Sequence, residues 1–114
     1  MILGKCPYCH DGDIEVRDKE VRGKKVKLYA CSNAHWRSDD GEFYELSSDS
    51  TCSFKIWQNS LSRYGKWFSY GEIRQLLREG EIEIELLSKK YGRKIRYNKH
   101  VILNQEYGVS IVWD

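Results

Sequence analysis

The segment Gly4-Lys5-Cys6-Pro7-Tyr8-Cys9-His10-Asp11-Gly12 carries the strongest structural signal in this chain of 114 residues. It contains a Cys-x-x-Cys turn, in which two thiolates can approach one metal ion while backbone amides donate hydrogen bonds to sulfur. Two more cysteines follow later in the chain, and tetrahedral zinc needs four such soft ligands. The sequence therefore predicts one bound Zn²⁺ with four ligands: Cys6, Cys9, Cys31 and Cys52.

The sequence leaves other uses of these cysteines open. His10 or His35 could replace one of the thiolates, although a histidine beside a cysteine site is more often a neighbour than a ligand. Disulfides are disfavoured, because a reducing cytosol keeps thiols free. Cys-Pro-Tyr-Cys is also typical of glutaredoxin active sites, but there a long helix follows the motif and a cis-proline faces it. Here a turn and a strand-like pattern follow, and Pro7 is the only proline.

Composition places the chain among small globular proteins, with 40% hydrophobic and 32% charged residues. No run approaches the roughly 18 apolar residues of a membrane span, and residues 1–5 contain no apolar run of signal-peptide length. We therefore expect a cytoplasmic protein without membrane contact. The net charge is only +2, so any polyanion binding must come from a local basic face.

The first half of the chain reads as β-structure. Residues 14–16 and 26–30 flank a charged turn, which predicts a hairpin. Residues 54–57 follow the last cysteine with crowded apolar side chains, which is typical of a final strand. We interpret residues 32–51 as an inserted loop, rich in Ser, Asp and Gly, with a short strand at 43–46.

The second half predicts one helix and three strands. Ser69 and Glu72 have the capping-box spacing at the start of the helix, and Gly80 ends it. Residues 81–86 alternate strictly, and alternation returns in 95–103 and 107–113. The predicted fold is therefore α+β: an N-terminal four-cysteine zinc ribbon, followed by a small antiparallel sheet with one crossing helix.

The cysteine motifs resemble the zinc ribbons in the C-terminal regions of type IA DNA topoisomerases. The elements that carry this resemblance are Gly4-x-Cys6-Pro7-x-Cys9, Tyr29-x-Cys31-Ser32 and Cys52-Ser53-Phe54-Lys55-Ile56-Trp57. The second half is similar to the repeat that follows a ribbon in topoisomerase III-like members. Its shared elements are Ile73-x-x-Leu76-Leu77-x-x-Gly80, Ser88-Lys89-Lys90-x-Gly92-Arg93-Lys94 and Val101-x-Leu103. His10 stands where this family usually has glycine, and the 32–51 insert is longer than usual.

The resemblance implies two subdomains, a zinc ribbon over 1–58 with the insert 32–51, and a topoisomerase-repeat-like α+β unit over 59–114. The family's catalytic core is absent, since the sequence has neither a toprim domain with its acidic metal cluster nor a tyrosine in a recognisable active-site context. We therefore expect no enzymatic activity. The chain would be part of a topoisomerase or accessory to one, and would bind DNA.

Basic and aromatic residues in the second half suggest single-stranded nucleic acid, because cations bind phosphates and exposed rings stack on unpaired bases. A solvated charged face and ordinary core packing are the plainer explanations of the same residues. The alternative function is a protein-interaction adapter that docks on a polymerase or other nucleic-acid machinery. The predicted nucleic-acid contacts are Lys89, Lys90, Arg93, Lys94, Arg96, Lys99, Trp67 and Tyr97. Further aromatic candidates are Trp57, Tyr64, Tyr70 and Tyr91.

Overall fold

The computed structural model describes residues 1–41, 44–90, 93–105 and 107–113, with the backbone alone for 88–90 and 93. In this part of the chain, nine strands, a short 3₁₀ helix and one α-helix form the predicted α+β fold, and every strand pair is antiparallel. The elements are β1 (Ile2–Lys5), β2 (Asp13–Val21), β3 (Lys24–Cys31), β4 (Trp36–Arg37), β5 (Glu45–Leu46), β6 (Lys55–Trp57), the 3₁₀ helix (Ser62–Tyr64), α1 (Tyr70–Glu79), β7 (Glu81–Lys90), β8 (Arg93–Asn104) and β9 (Gly108–Val112).

The N-terminal sheet has the strand order β1-β2-β3-β6 and is built around the predicted hairpin. Its turn is shorter than expected, because Val21 already pairs with Lys24. Arg22 and Gly23 make the connection with φ values of 52° and 76°. Such a pair of positive φ values is typical of the two-residue turns whose twist matches that of the flanking strands. The tight turn lets both strands extend beyond their apolar centres into charged sequence.

The insert 32–51 is held against β2 rather than hanging free as a loop. Within it β4 pairs with β5, so the predicted strand at 43–46 is found at Glu45–Leu46, while Phe43 lies outside the described residues. The Arg17 guanidinium of β2 donates to the Ala34 carbonyl at 2.5 Å. At the far end of the insert the Tyr44 hydroxyl donates to the Glu20 carbonyl at 2.8 Å. These long-range bonds have no local sequence signature, so the sequence predicted the loop and its short strand but not their contacts with β2.

The helix α1 begins and ends where the sequence predicted. The Ser69 hydroxyl accepts from the Glu72 amide at 3.3 Å, and the Glu72 carboxylate accepts from the Ser69 amide at 2.9 Å. This reciprocal capping box satisfies two amides at the helix start. At the other end Gly80 adopts φ 80°, and its amide donates to the Leu76 carbonyl at 2.8 Å. The helix buries Ile73 and Leu76 against the core.

The C-terminal sheet has the order β7-β8-β9 and separates two faces. The inner face carries the buried side chains of Ile82, Ile84, Leu86 and Val101, which confirms the predicted alternation in β7 and β8. Near the start of β8 the inner face is no longer covered by the core, and Ile95 is 41% exposed. The β7–β8 hairpin therefore extends beyond the packed interior.

One buried cluster contains residues from both halves of the chain. The Tyr29 hydroxyl of β3 donates to the Phe68 carbonyl at 2.9 Å, which links the first sheet to the segment before α1. Gly108, with φ 87°, lets β9 approach β6 so closely that a Cβ there would lie 2.4 Å from the Lys55 carbonyl oxygen. Loss of structure in the first sheet should therefore destabilise the second half of the chain as well. None of the helices in the described residues has the length and apolar content to cross a membrane.

Candidate metal centre and candidate nucleic-acid interface

The four cysteines lie together, and all four Sγ atoms are within 4.8 Å of one another. Two pairs are closest, Cys6 with Cys52 at 3.7 Å and Cys9 with Cys31 at 3.6 Å. Three of these residues are buried and Cys9 is half-buried. The cluster could hold a metal ion, and in the described residues no histidine joins it, so neither His10 nor His35 is placed as a ligand.

Cys6 and Cys9, the two cysteines of the Cys-x-x-Cys motif, lie in a tight turn after β1. The Cys6 amide donates to the Gly12 carbonyl at 2.9 Å, and the His10 amide donates to the Cys6 carbonyl at 3.2 Å. His10 has φ 63°, a left-handed conformation that favours glycine. A glycine would adopt this conformation without the steric cost that a histidine side chain carries there.

Backbone amides stabilise the thiolate form of Cys9. Desolvation alone would raise its pKa, but amides of Gly12 and Asp11 donate hydrogen bonds to the sulfur. Together with the neighbouring thiols they lower the pKa of Cys9 to about 6. One ligand is therefore ready to bind a cation at neutral pH.

Asn33 contacts the cysteines from the later part of the chain, Cys31 and Cys52, and was not among the residues predicted from the sequence. Its amide donates to Cys31 Sγ at 3.4 Å, and its side-chain amide lies 3.8 Å from Cys9 Sγ. Its carbonyl accepts from the Cys52 amide at 3.3 Å. Asn33 thus contacts both sides of the cluster and brings the end of the long insert back to β3. No motif spacing could have revealed this, because the bond to Cys52 crosses the insert.

Gly12 gives the Cys31 thiol the space it occupies. A Cβ at residue 12 would lie 2.4 Å from Cys31 Sγ and 3.0 Å from the Ser32 hydroxyl oxygen. Real Cβ atoms do not approach sulfur so closely, so any larger residue must displace the thiol. The cluster therefore depends on a glycine three residues after Cys9.

The cluster can carry four thiolates only when a cation is bound among them. Burial raises the pKa of Cys31 and of Cys52, so without a positive charge both thiols stay protonated at neutral pH. Four thiolates within 4.8 Å would repel one another strongly. A soft divalent cation removes that repulsion and is the ligand chemistry that suits four sulfur atoms.

Metal binding should release protons, and the affinity should rise with pH. Cys31 and Cys52 have raised pKa values and must lose their protons to bind a metal ion, so we expect release of at least two protons at pH 7. Isothermal titration calorimetry in two buffers of different ionisation enthalpy measures this number. Equal heats in both buffers would contradict the thiolate model.

The predicted cations lie on two faces of the β7–β8 hairpin rather than on one. Lys94 and Arg96 lie on the outer face, where Arg96 Nη1 is 3.6 Å from Glu85 Oε1. Lys99 lies on the inner face, with its Nζ 5.7 Å from the centre of the Trp113 ring. The backbone register pairs Lys89 with Lys94 and Lys90 with Arg93 near the end of the hairpin; the side chains of Lys89, Lys90 and Arg93 are outside the described part.

The predicted aromatic contact Tyr97 belongs to a ring cluster that the sequence did not reveal. Its ring centre lies 6.2 Å from that of Trp113, which in turn lies 6.0 Å from Tyr64. Trp113 was not among the candidates, although the alternation of 107–113 could have placed it beside β8. Trp67 is 53% exposed and makes no ring contact with another aromatic residue in the described chain.

Two other aromatic candidates are engaged in packing. Tyr70 makes an edge contact with buried Tyr29 at 6.1 Å, and Trp57 makes one with Tyr44 of the insert at 5.3 Å. Their contacts are those of structural residues. The remaining candidate, Tyr91, lies outside the described residues.

No protein-family model matches the chain, no curated protein matches it, and no solved structure matches it. The resemblance to type IA topoisomerases therefore stays a prediction that rests on the sequence motifs alone.

Proposed function

We propose that this chain is a zinc-stabilised module that binds single-stranded DNA and has no catalytic activity of its own. The observation that carries the zinc assignment is the sulfur geometry. A tetrahedral site with Zn–S bonds of about 2.3 Å separates its sulfur atoms by about 3.8 Å. The closest pairs here are 3.6 and 3.7 Å apart and none exceeds 4.8 Å, so binding the ion requires the most distant sulfur atoms to approach by no more than about 1 Å.

The nucleic-acid part of the proposal is supported by the inner face of the projecting hairpin. Tyr97, Trp113 and Lys99 lie together there, so rings and a cation share one surface. Rings of this kind stack on unpaired bases with little sequence preference, and cations bind the phosphates. A duplex hides its bases inside the stack, so the surface is better suited to single strands.

The motif resemblance supports a more specific role. We propose that the module acts as an accessory DNA-binding part of, or partner to, a type IA topoisomerase. In that role the zinc site fixes the first sheet, and the second sheet presents the strand-binding surface. Cleavage chemistry would belong to a separate catalytic core.

A salt titration tests the binding of single strands. Counterion release predicts that log affinity falls with log salt by about 0.7 for each phosphate contact. Lys94 and Arg96 lie on the outer face, so replacing both by Ala tests whether the strand also contacts that face; two phosphate contacts there would flatten the slope by about 1.4 units. Both side chains are exposed, so the fold should be preserved. The measurement is the fluorescence anisotropy of a fluorescently labelled 12-nucleotide strand titrated with metal-loaded protein.

A matched control for this variant is the Lys24→Ala/Lys25→Ala protein, which loses the same charge on exposed residues of the other hairpin. Its slope should stay close to that of the parent. Equal slopes in both variants would remove the outer face of β8 from the interface. No binding by the parent at low salt would refute the proposed function.

One observation favours the alternative, a protein-interaction adapter. The outer face of the C-terminal sheet carries a row of glutamates along β7, and His100 of β8 lies 3.5 Å from Glu83 and 3.9 Å from Glu81. A face of mixed charge suits a protein partner better than a polyanion. Failure of the metal-loaded protein to bind any oligonucleotide at low salt would favour this function.

A further inference from the structure

We propose that the groove between the 3₁₀ helix and β9 is a subsite for one unpaired nucleobase, held against the exposed face of Trp113. This inference rests on the proposed function and names the place where that function is performed. The groove has a volume of about 490 Å³, within the range of small-ligand sites. Its lining includes Leu61, Arg63, Tyr64, Tyr107, Val109 and Trp113.

The rings of the groove are exposed yet held in place. Trp113 is 55% exposed, although its ring packs against Tyr64 at 6.0 Å and Tyr97 at 6.2 Å. Tyr107 is 67% exposed, and its backbone amide donates to the Asn104 side-chain oxygen at 2.9 Å, which holds the turn before β9. A ring already held by its neighbours loses little conformational freedom when a base stacks on it. Large apolar rings left open to water are typical of a binding surface.

The charges around the groove suit a polyanion. The Arg63 guanidinium lies 5.5 Å from the centre of the Tyr64 ring, and within the described residues no carboxylate pairs with it. Lys99 Nζ lies near the Trp113 ring. None of the described lining residues is acidic. Arg63 lines the groove and Lys99 lies beside Trp113, so each is near enough to contact a phosphate of a strand whose base stacks on Trp113.

The groove offers apolar contacts for the face of a base and polar contacts for its edge. Leu61 and Val109 are buried and offer an apolar floor. Ser110 adds a hydroxyl group that can bond to the polar edge of any base, and Ser60 adds one that can accept, since it already donates to the Trp57 carbonyl at 2.8 Å. This combination of ring, apolar floor and adaptable hydroxyls predicts tolerance of base identity. An aromatic side chain of a protein partner is the competing occupant.

Two variants of matched exposure test the subsite. In metal-loaded protein Trp113→Ala should weaken binding of a (dT)₁₂ strand by about 5- to 100-fold, while leaving the salt slope unchanged. Trp67→Ala is the comparison: Trp67 is similarly exposed at 53% and is a contact predicted from the sequence, but it does not line this groove. The subsite predicts parental affinity for this variant, whereas a contact at Trp67 predicts a loss. Arg63→Gln should lower the salt slope by about 0.7.

A strand of the same length and charge but without bases makes the result independent of folding. The parent should bind this abasic strand about 5- to 100-fold more weakly than (dT)₁₂, and Trp113→Ala should bind both strands almost equally. A parent that binds both strands equally, or a loss confined to Trp67→Ala, would overturn the subsite while leaving the module's function intact. A parent that binds neither strand would overturn the proposed function itself.

Discussion

Removal of the metal ion is expected to unfold most of the chain. A structural zinc site of this kind contributes on the order of 10–16 kcal/mol at neutral pH. That is as large as the whole stability of a typical small domain, which is roughly 5–15 kcal/mol. The cysteines belong to the same buried cluster as residues of α1 and β7, so the loss should reach both sheets.

Thermal melting followed by circular dichroism, with and without a strong chelator, measures this effect. The metal-free protein and the Cys6→Ser variant should lose the cooperative transition of the parent. Adding Zn²⁺ back should restore it for the chelated parent, whereas Mg²⁺, which prefers oxygen ligands, should not. A metal-free protein that melts like the parent would refute the structural role of the site.

Substitution of Gly12 by Ala is expected to disrupt metal binding although no ligand is changed. The new Cβ would lie 2.4 Å from Cys31 Sγ, so the thiol or the turn after Cys9 has to move. Changes to the groups that support metal ligands typically cost about 10- to 100-fold in affinity. We expect a loss at the upper end, because the clash falls on a ligand atom. Competition with a chromophoric zinc chelator measures it.

The matched control is Gly71→Ala, in the first turn of α1. A Cβ at Gly71 meets no atom within 4 Å, and its φ is not left-handed. Alanine there should raise the free energy of unfolding by about 0.5–1 kcal/mol and leave metal affinity alone. Equal metal affinity in the Gly12→Ala and Gly71→Ala proteins would show that the clash is relieved without disturbing the site.

The parts of the fold that short-range patterns encode could be read from the sequence. Ser69, Glu72 and Gly80 predicted both ends of α1, since capping depends on residues only a few positions apart. Alternation predicted which side of β7 is buried. The cysteine cluster could be predicted from the chemistry of its ligands, because a Cys-x-x-Cys turn and two further thiols suit one soft metal ion.

The parts that depend on long-range pairing could not be read in this way. The sequence of β8 contains no acidic residue, but the β7–β8 register brings Glu85 of β7 to within 3.6 Å of Arg96. Successive side chains of β8 point to opposite faces of the sheet, so Lys94 and Arg96 lie on the outer face and Lys99 lies on the inner face near Trp113. Register follows from pairing partners and packing, which a single strand's pattern does not specify.

The central claim is that four sulfur atoms of this chain hold one zinc ion, and zinc K-edge X-ray absorption tests it most directly. We predict a first shell of four sulfur atoms at about 2.3 Å, in protein that contains one zinc ion per chain. A shell that includes nitrogen or oxygen at about 2.0–2.1 Å, or protein that retains no zinc after purification, would contradict the account.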